Sequence, residues 1–181
     1  MPATADAGVS VPVVWAVDEA HLCNYLLPRD CPRVCFRATS VTTAADREAF
    51  LGAGTQPVVA VETGWYERLA GVRLWVYEFN SASFTCVDLN AGYFVSEVPV
   101  VARFVRVVRS PSEELLALGI DVRPLPNLQE LAAGVAASSL AFSCIRMRNA
   151  APASSVTPNP FIERTSSGRL RLPTAAAHVE R

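Results

Sequence analysis

The 181-residue chain reads as an α+β domain: a mixed β-sheet of about seven strands with short helices packed on it. Three observations predict this. Short apolar runs of strand length alternate with helix patterns opened by capping residues. In the second half the strand candidates cluster instead of alternating. Half of the chain is apolar and 18% is charged, enough for one domain with a sizeable core.

Residues 1–10 read as a frayed N-terminus, 11–149 as the single globular domain and 150–181 as a disordered Ala/Pro/Ser/Arg tail. Val11 to Val17 is a short apolar strand with Trp15. Asp18 caps a helix whose apolar stripe is Leu22, Tyr25 and Leu26, and Pro28 ends it. From Arg33 to Ala38 a strand sets Val34, Phe36 and Ala38 on one face and Arg33, Cys35 and Arg37 on the other. Thr42 or Thr43 starts a helix closed by Gly52. Pro57 to Glu62 is apolar on both faces, as a central strand is.

Gly64 to Leu69 predicts a helical turn, and Val72 to Phe79 the strongest strand. Phe84 to Asp88 and Gly92 to Ser96 form a hairpin around Asn90-Ala91-Gly92. Val98 to Val108 reads as a long strand with room for a bulge. Ser110-Pro111-Ser112-Glu113 has the pattern of a capping box, its helix ending at Gly119. Ile120 to Leu125 is a strand. Asn127 to Ala137 is a helix, and the apolar stretch Leu140 to Met147 reads as its continuation into a second one.

Composition excludes several chemistries. All sixteen basic residues are arginines. Without lysine there is no Walker-type phosphate loop, no pyridoxal Schiff base and no kinase strand lysine. No G-x-S-x-G or G-x-G-x-x-G occurs. A net charge of −1 gives no electrostatic reason to expect nucleic acid. The N-terminus lacks a basic region before its short apolar stretch, so neither a signal peptide nor a membrane span is expected. Five cysteines without regular spacing do not form a disulfide framework, and the cytoplasm is the expected compartment.

The densest constellation is Asn24-Tyr25-Leu26-Leu27-Pro28-Arg29-Asp30-Cys31-Pro32-Arg33-Val34. Two prolines fix its backbone and remove donors. Pro28, Arg29, Asp30 and Pro32 are expected to build a rigid corner in which Arg29 neutralises Asp30. Arg33 then leaves the strand on the solvent or cleft side with Arg37, and the two guanidiniums offer planar donor forks to a phosphate or carboxylate. His21, Asn24 and Tyr25 line that candidate anion site. Arg146, taken as three before Asn149 on a helix face, is its second wall. His21, Cys23, Cys31 and Cys35 invite a zinc reading, but His21 and Cys23 point to different helix faces and no C-x-x-C knuckle occurs, so no metal is expected. Glu62, Glu67 and Glu78 are the candidates for an acid–base carboxylate pair.

Val14-Trp15-Ala16, His21-Leu22, the Asn24-to-Val34 run, Trp65, Tyr77-Glu78-Phe79 and Ala91-Gly92-Tyr93 resemble an uncharacterised bacterial domain-of-unknown-function family. Pro126-Asn127-Leu128 and Ile145-Arg146-Met147-Arg148-Asn149 extend the resemblance over about residues 12–149. It implies membership and no assigned activity. The chain departs from the family pattern in three places. Met1 to Ser10 replaces a segment like His-Val-Ser-Glu-Glu. Cys23 stands where Pro is expected, and Cys35 where no Cys is expected.

Two functions follow. One is a small-molecule or nucleotide (anion) binding domain, transferase-like in its catalytic form. The alternative is a noncatalytic protein-interaction or accessory module. No cofactor is implied, and the oligomeric state is open.

Overall fold

The computed structural model describes residues 11–153 together with 163–164 and 170–171. Its centre is a four-stranded sheet in the order β8-β3-β2-β9, made from Arg33–Arg37 (β2), Val58–Glu62 (β3), Asp121–Leu125 (β8) and Ala141–Ile145 (β9). β2 runs antiparallel to β3 and β9, and β3 runs parallel to β8, so this sheet is mixed. All five residues of β3 are buried, as the apolar-on-both-faces reading requires. β8 tolerates Pro124 because it is an edge strand, where a missing N–H breaks no ladder on its outer side.

The two faces of this sheet carry separate cores. Val34, Phe36, Val58 and Ala60 point to one side and pack under Ala44–Leu51 (α1) and Gln129–Ala136 (α4), which contribute Phe50, Leu51, Leu131 and Val135. Thr43 caps α1 by accepting from the Asp46 N–H at 3.1 Å, and Gly52 closes it with φ 59°. Cys35, Val59 and Val61 point the other way. They pack against Leu26, Leu27, Leu69, Val108, Leu115 and Ile120. That second layer is built from a 3-10 helix at Glu19–Tyr25, a short helix at Thr63–Tyr66 (α2) continued as a 3-10 turn, Pro111–Ala117 (α3) and a two-stranded ribbon.

The ribbon pairs Leu74–Glu78 (β4) with Phe104–Val108 (β7). Its inner face, Leu74, Val76 and Val108, joins the second core. Its outer face, Trp75, Tyr77, Val105 and Val107, is exposed. A three-stranded antiparallel sheet completes the fold: Val14–Val17 (β1), Tyr93–Ser96 (β6) and Thr85–Asp88 (β5), in the order β1-β6-β5 with an irregularity between Cys86 and Asp88. The fold is thus α+β as read, but the strands divide among several sheets. Among the described residues no helix is long and apolar enough to cross a membrane.

Four local expectations are corrected. Leu140 to Met147 holds a strand, not a second helix. β9 alternates half-buried Ala141, Ser143 and Ile145 with exposed Phe142 and Cys144, a period of two. The long strand from Val98 shrinks to β7, because residues 98–103 pair with no strand in regular register. The capping-box hydroxyl of Ser110 makes no bond to the helix end, and α3 starts on Pro111 alone. The domain does not stop at Asn149. Ala151 N–H donates to Glu62 Oε1 at 2.8 Å, and the Asn127 side-chain amide donates to the Ala151 carbonyl at 2.9 Å. The rest of the expected disordered tail lies mostly outside the described residues. Within it Glu163–Arg164 (β10) pairs with Leu170–Arg171 (β11).

Candidate functional site

The Asn24-to-Val34 corner is organised from inside by Arg33. This side chain is 2% exposed, not solvent- or cleft-facing as expected. Its Nε donates to the Asn24 carbonyl at 2.8 Å. Its Nη1 donates to the Cys31 carbonyl at 2.8 Å and to the Pro28 carbonyl at 3.4 Å. The guanidinium carbon lies 5.4 Å from the centre of the Tyr25 ring. The physical cause is visible in the sequence. Prolines at 28 and 32 remove two N–H donors from a buried loop, so its carbonyls need another donor. Arginine carries five in a fixed fork. Burial holds the Arg33 pKa below its ordinary value, Arg146 adding to the effect.

The other members of the corner take different places. Pro32 is fully buried. Arg29 and Asp30 are exposed. Among the described residues the Asp30 carboxylate makes no ion pair, and its backbone carbonyl accepts from the Asn149 side chain at 2.7 Å. Burial raises the Tyr25 pKa, helped by the hydrogen bond between its hydroxyl and that of Tyr93. Trp15 meets Tyr93 edge-on, with ring centres 6.0 Å apart. Arg146 does not share a helix face with Asn149. It ends β9 in the left-handed region at φ 56°, half-buried beside Arg33.

Arg37, four residues along the same strand face, is where the second layer ends. Its register partner on β9 is Ala141, and that of Cys35 is Ser143. These small side chains leave space, and a cavity of about 210 Å³ opens there. Arg37, His21, Asn24 and Cys23 line its polar side, with Glu19, Asn90 and Ser143 around them. Leu118 and Ile120 add apolar surface to its lining.

Arg37 does not stand alone in this cavity. Its Nη2 lies 2.8 Å from His21 Nε2. His21 Nδ1 lies 2.7 Å from Asp18 Oδ1, which also accepts the His21 backbone N–H at 2.9 Å. A guanidinium can only donate, so Nε2 accepts and Nδ1 carries the proton to Asp18. The Asp18–His21 pair therefore fixes the angle of Arg37. Gly92 makes the array possible. Its φ is +66°, and a Cβ there would meet His21 Nδ1 and come within 2.8 Å of the Asp18 carboxylate. Among the described residues no carboxylate forms an ion pair with Arg37.

Asn24 is 9% exposed. Its side-chain oxygen has only a long contact from the Cys23 thiol, at 3.5 Å. Its amide nitrogen has no partner among the described residues. A buried donor left unpaired is uncommon in native folds. Burial holds the Cys23 and Cys35 thiols above their ordinary range.

The structure thus brings together His21, Asn24 and Arg37 of the sequence candidates. It separates from them Arg33, Tyr25 and Arg146. Glu62 is held by its bond to Ala151, while Glu67 and Glu78 are exposed on other elements. Sequence reasoning missed Asp18 as the third member of the array, having read it only as a cap. The signal available was its i, i+3 spacing to His21.

A search among curated proteins and among solved structures finds no match. A family model does match, over residues 2–150, which includes the corner, the array and every strand of the three main sheets. By that coverage, the chain belongs to DUF6886, a family of unknown function.

Proposed function

We propose that the domain binds a small anionic molecule, with Arg37 as its electrostatic anchor. One observation carries this reading: a guanidinium on a cavity wall, oriented by a histidine and an aspartate, with no carboxylate paired to it among the described residues. A structural arginine is satisfied by carbonyls, as Arg33 is. Arg37 keeps N–H groups free to meet a ligand. The cavity is smaller than the ~300 Å³ at which drug-sized sites begin. It suits a small metabolite, or the charged end of a nucleotide whose remainder lies outside. The reading stops at binding and not at transferase chemistry. Both ring nitrogens of His21 are bonded, and burial keeps the nearby thiols protonated. Five free cysteines fit a reducing cytoplasm as the place of work.

The test is a calorimetric titration with a panel of small anions. Arg37→Ala should abolish whatever binding the wild type shows while lowering its melting midpoint only by the several degrees, roughly 2–12 °C, that one unpaired acceptor, His21 Nε2, costs. No Arg37-dependent binding at millimolar anion would overturn the proposal.

A second reading, the interaction module, draws on the outer face of the β4–β7 ribbon. Trp75 and Tyr77 are each 55% exposed, in register with exposed Val107 and Val105. At ~150–250 Å² for a whole aromatic side chain, this face offers roughly 400 Å². The occupant it fits is a second copy of this chain, since two such faces together bury roughly 800 Å², the range of weak, transient contacts. Sedimentation velocity should then show concentration-dependent association that Trp75→Glu removes. A monomer at all concentrations would dismiss this reading.

A further inference from the structure

We propose that the ligand is a monocarboxylate with a compact apolar body, its carboxylate spanning Arg37 and the side-chain amide of Asn24. This rests on the anion-binding reading and specifies its chemistry. Three observations support it. First, two donors of different kinds line the cavity. Arg37 spends one N–H on His21 Nε2, and Asn24, which lines the same cavity, holds a buried NH₂ with no partner among the described residues. Two oxygens in one plane satisfy one donor each. A phosphate carries nearly a second negative charge, which one guanidinium and a neutral amide balance only in part.

Second, Glu19 is part of the same cavity wall. Its carboxylate lowers the net positive charge of the site, which one negative charge tolerates better than two. Third, part of the lining is apolar. Leu118 and Ile120 offer apolar contact to the ligand's body, where a polar sugar would lose water without gaining partners. The size of the cavity, about 210 Å³, limits the body to a short chain or one ring.

Asn24 is then a specificity residue. Its backbone carbonyl belongs to the Arg33 cage, but its side chain has no structural partner beyond one thiol contact. A substitution of the side chain alone leaves the corner's bonds in place.

The experiment titrates the full chain and its variants with benzoate, hexanoate, benzamide, inorganic phosphate and adenosine monophosphate. The wild type should bind benzoate or hexanoate more tightly than the other three. Asn24→Asp, of the same shape with a repelling charge, should weaken that binding at least about tenfold, the loss of one charge-assisted hydrogen bond. If Asn24→Asp loses its melting transition, Asn24→Ala removes the amide without adding charge and should weaken binding about fivefold or more. Arg37-dependent binding that favours phosphate or the nucleotide would overturn the carboxylate assignment and leave the anion reading standing. Benzamide binding as tightly as benzoate would also overturn it. Benzoate binding unchanged in both Asn24 variants would remove Asn24 from the site. Absence of binding by every anion would overturn both proposals.

Discussion

Replacing Arg33 by alanine should destabilise the domain by about 2–4 kcal/mol. The figure follows from what the guanidinium holds. Two carbonyls, of Asn24 and Cys31, receive its N–H groups at 2.8 Å, and that of Pro28 at 3.4 Å. Each buried acceptor left unsatisfied costs about 1–3 kcal/mol. The two short bonds therefore set a cost of roughly 2–6 kcal/mol, and loss of the packed side chain adds to it. A gain offsets part of this. Arg33 is a buried cation with no carboxylate bonded to it among the described residues, and removing it recovers its desolvation cost. Hence the lower half of the range. For a domain of this length each kcal/mol moves the melting midpoint by about 2–4 °C, so a fall of about 5–15 °C is expected. Arg33→Lys keeps the charge but not the fork and should fall in between. Thermal and urea unfolding of the three proteins side by side is the assay. An Arg33→Ala protein within about 0.5 kcal/mol of wild type would refute the caging argument. It would return Arg33 to the exposed role that the sequence alone suggests.

Two further outcomes follow from the same geometry. A chain ending at Asn149 loses the Ala151 bonds to Glu62 and Asn127, so it should melt several degrees lower than one ending at Ala153; equal midpoints would show that the docked turn contributes nothing. Stability should also fall as pH rises from about 9 to 11. Burial pushes the Cys31 thiol up to about 11 from an ordinary 9, so the unfolded chain ionises first and is favoured through that window. Tyr25 and Cys35 are shifted the same way and extend the loss to higher pH. A midpoint that stays flat from pH 8.5 to 11, followed by circular dichroism, would contradict this.

The parts of the fold legible in the sequence are those set by local pattern. β3 was readable because its residues are apolar on both faces, and α1 because Thr43 and Gly52 bracket it. β9 was not readable. Leu140 to Met147 is a short apolar run, and such a run has no period that separates a strand from a buried helix. Its alternation emerges only against β2, where Ala141 and Ser143 sit over the cavity and Phe142 and Cys144 face out. The ladder that decides this joins residues more than a hundred positions apart.

The arginines show the same limit more sharply. Arg33, Arg37 and Cys35 share one strand face, as the alternation requires. The expectation that this face is open failed at Arg33 because the corner folds back over it, setting the carbonyls of Asn24, Pro28 and Cys31 and the Tyr25 ring on its guanidinium, while α3, β4 and β7 cover the core around Cys35 beside it. The prolines at 28 and 32 report the need for a donor inside the corner, but strand alternation alone does not say that Arg33 supplies it. Along a strand, four residues span roughly 13 Å, about the width of one covering element. At one end of that distance a guanidinium lies under the layer and must be satisfied by carbonyls, which makes it structural. At the other end the layer has stopped, small residues on β9 leave a cavity, and the same side chain keeps donors for something else. The role of each arginine is fixed by where the second layer ends, and that boundary is a property of the fold.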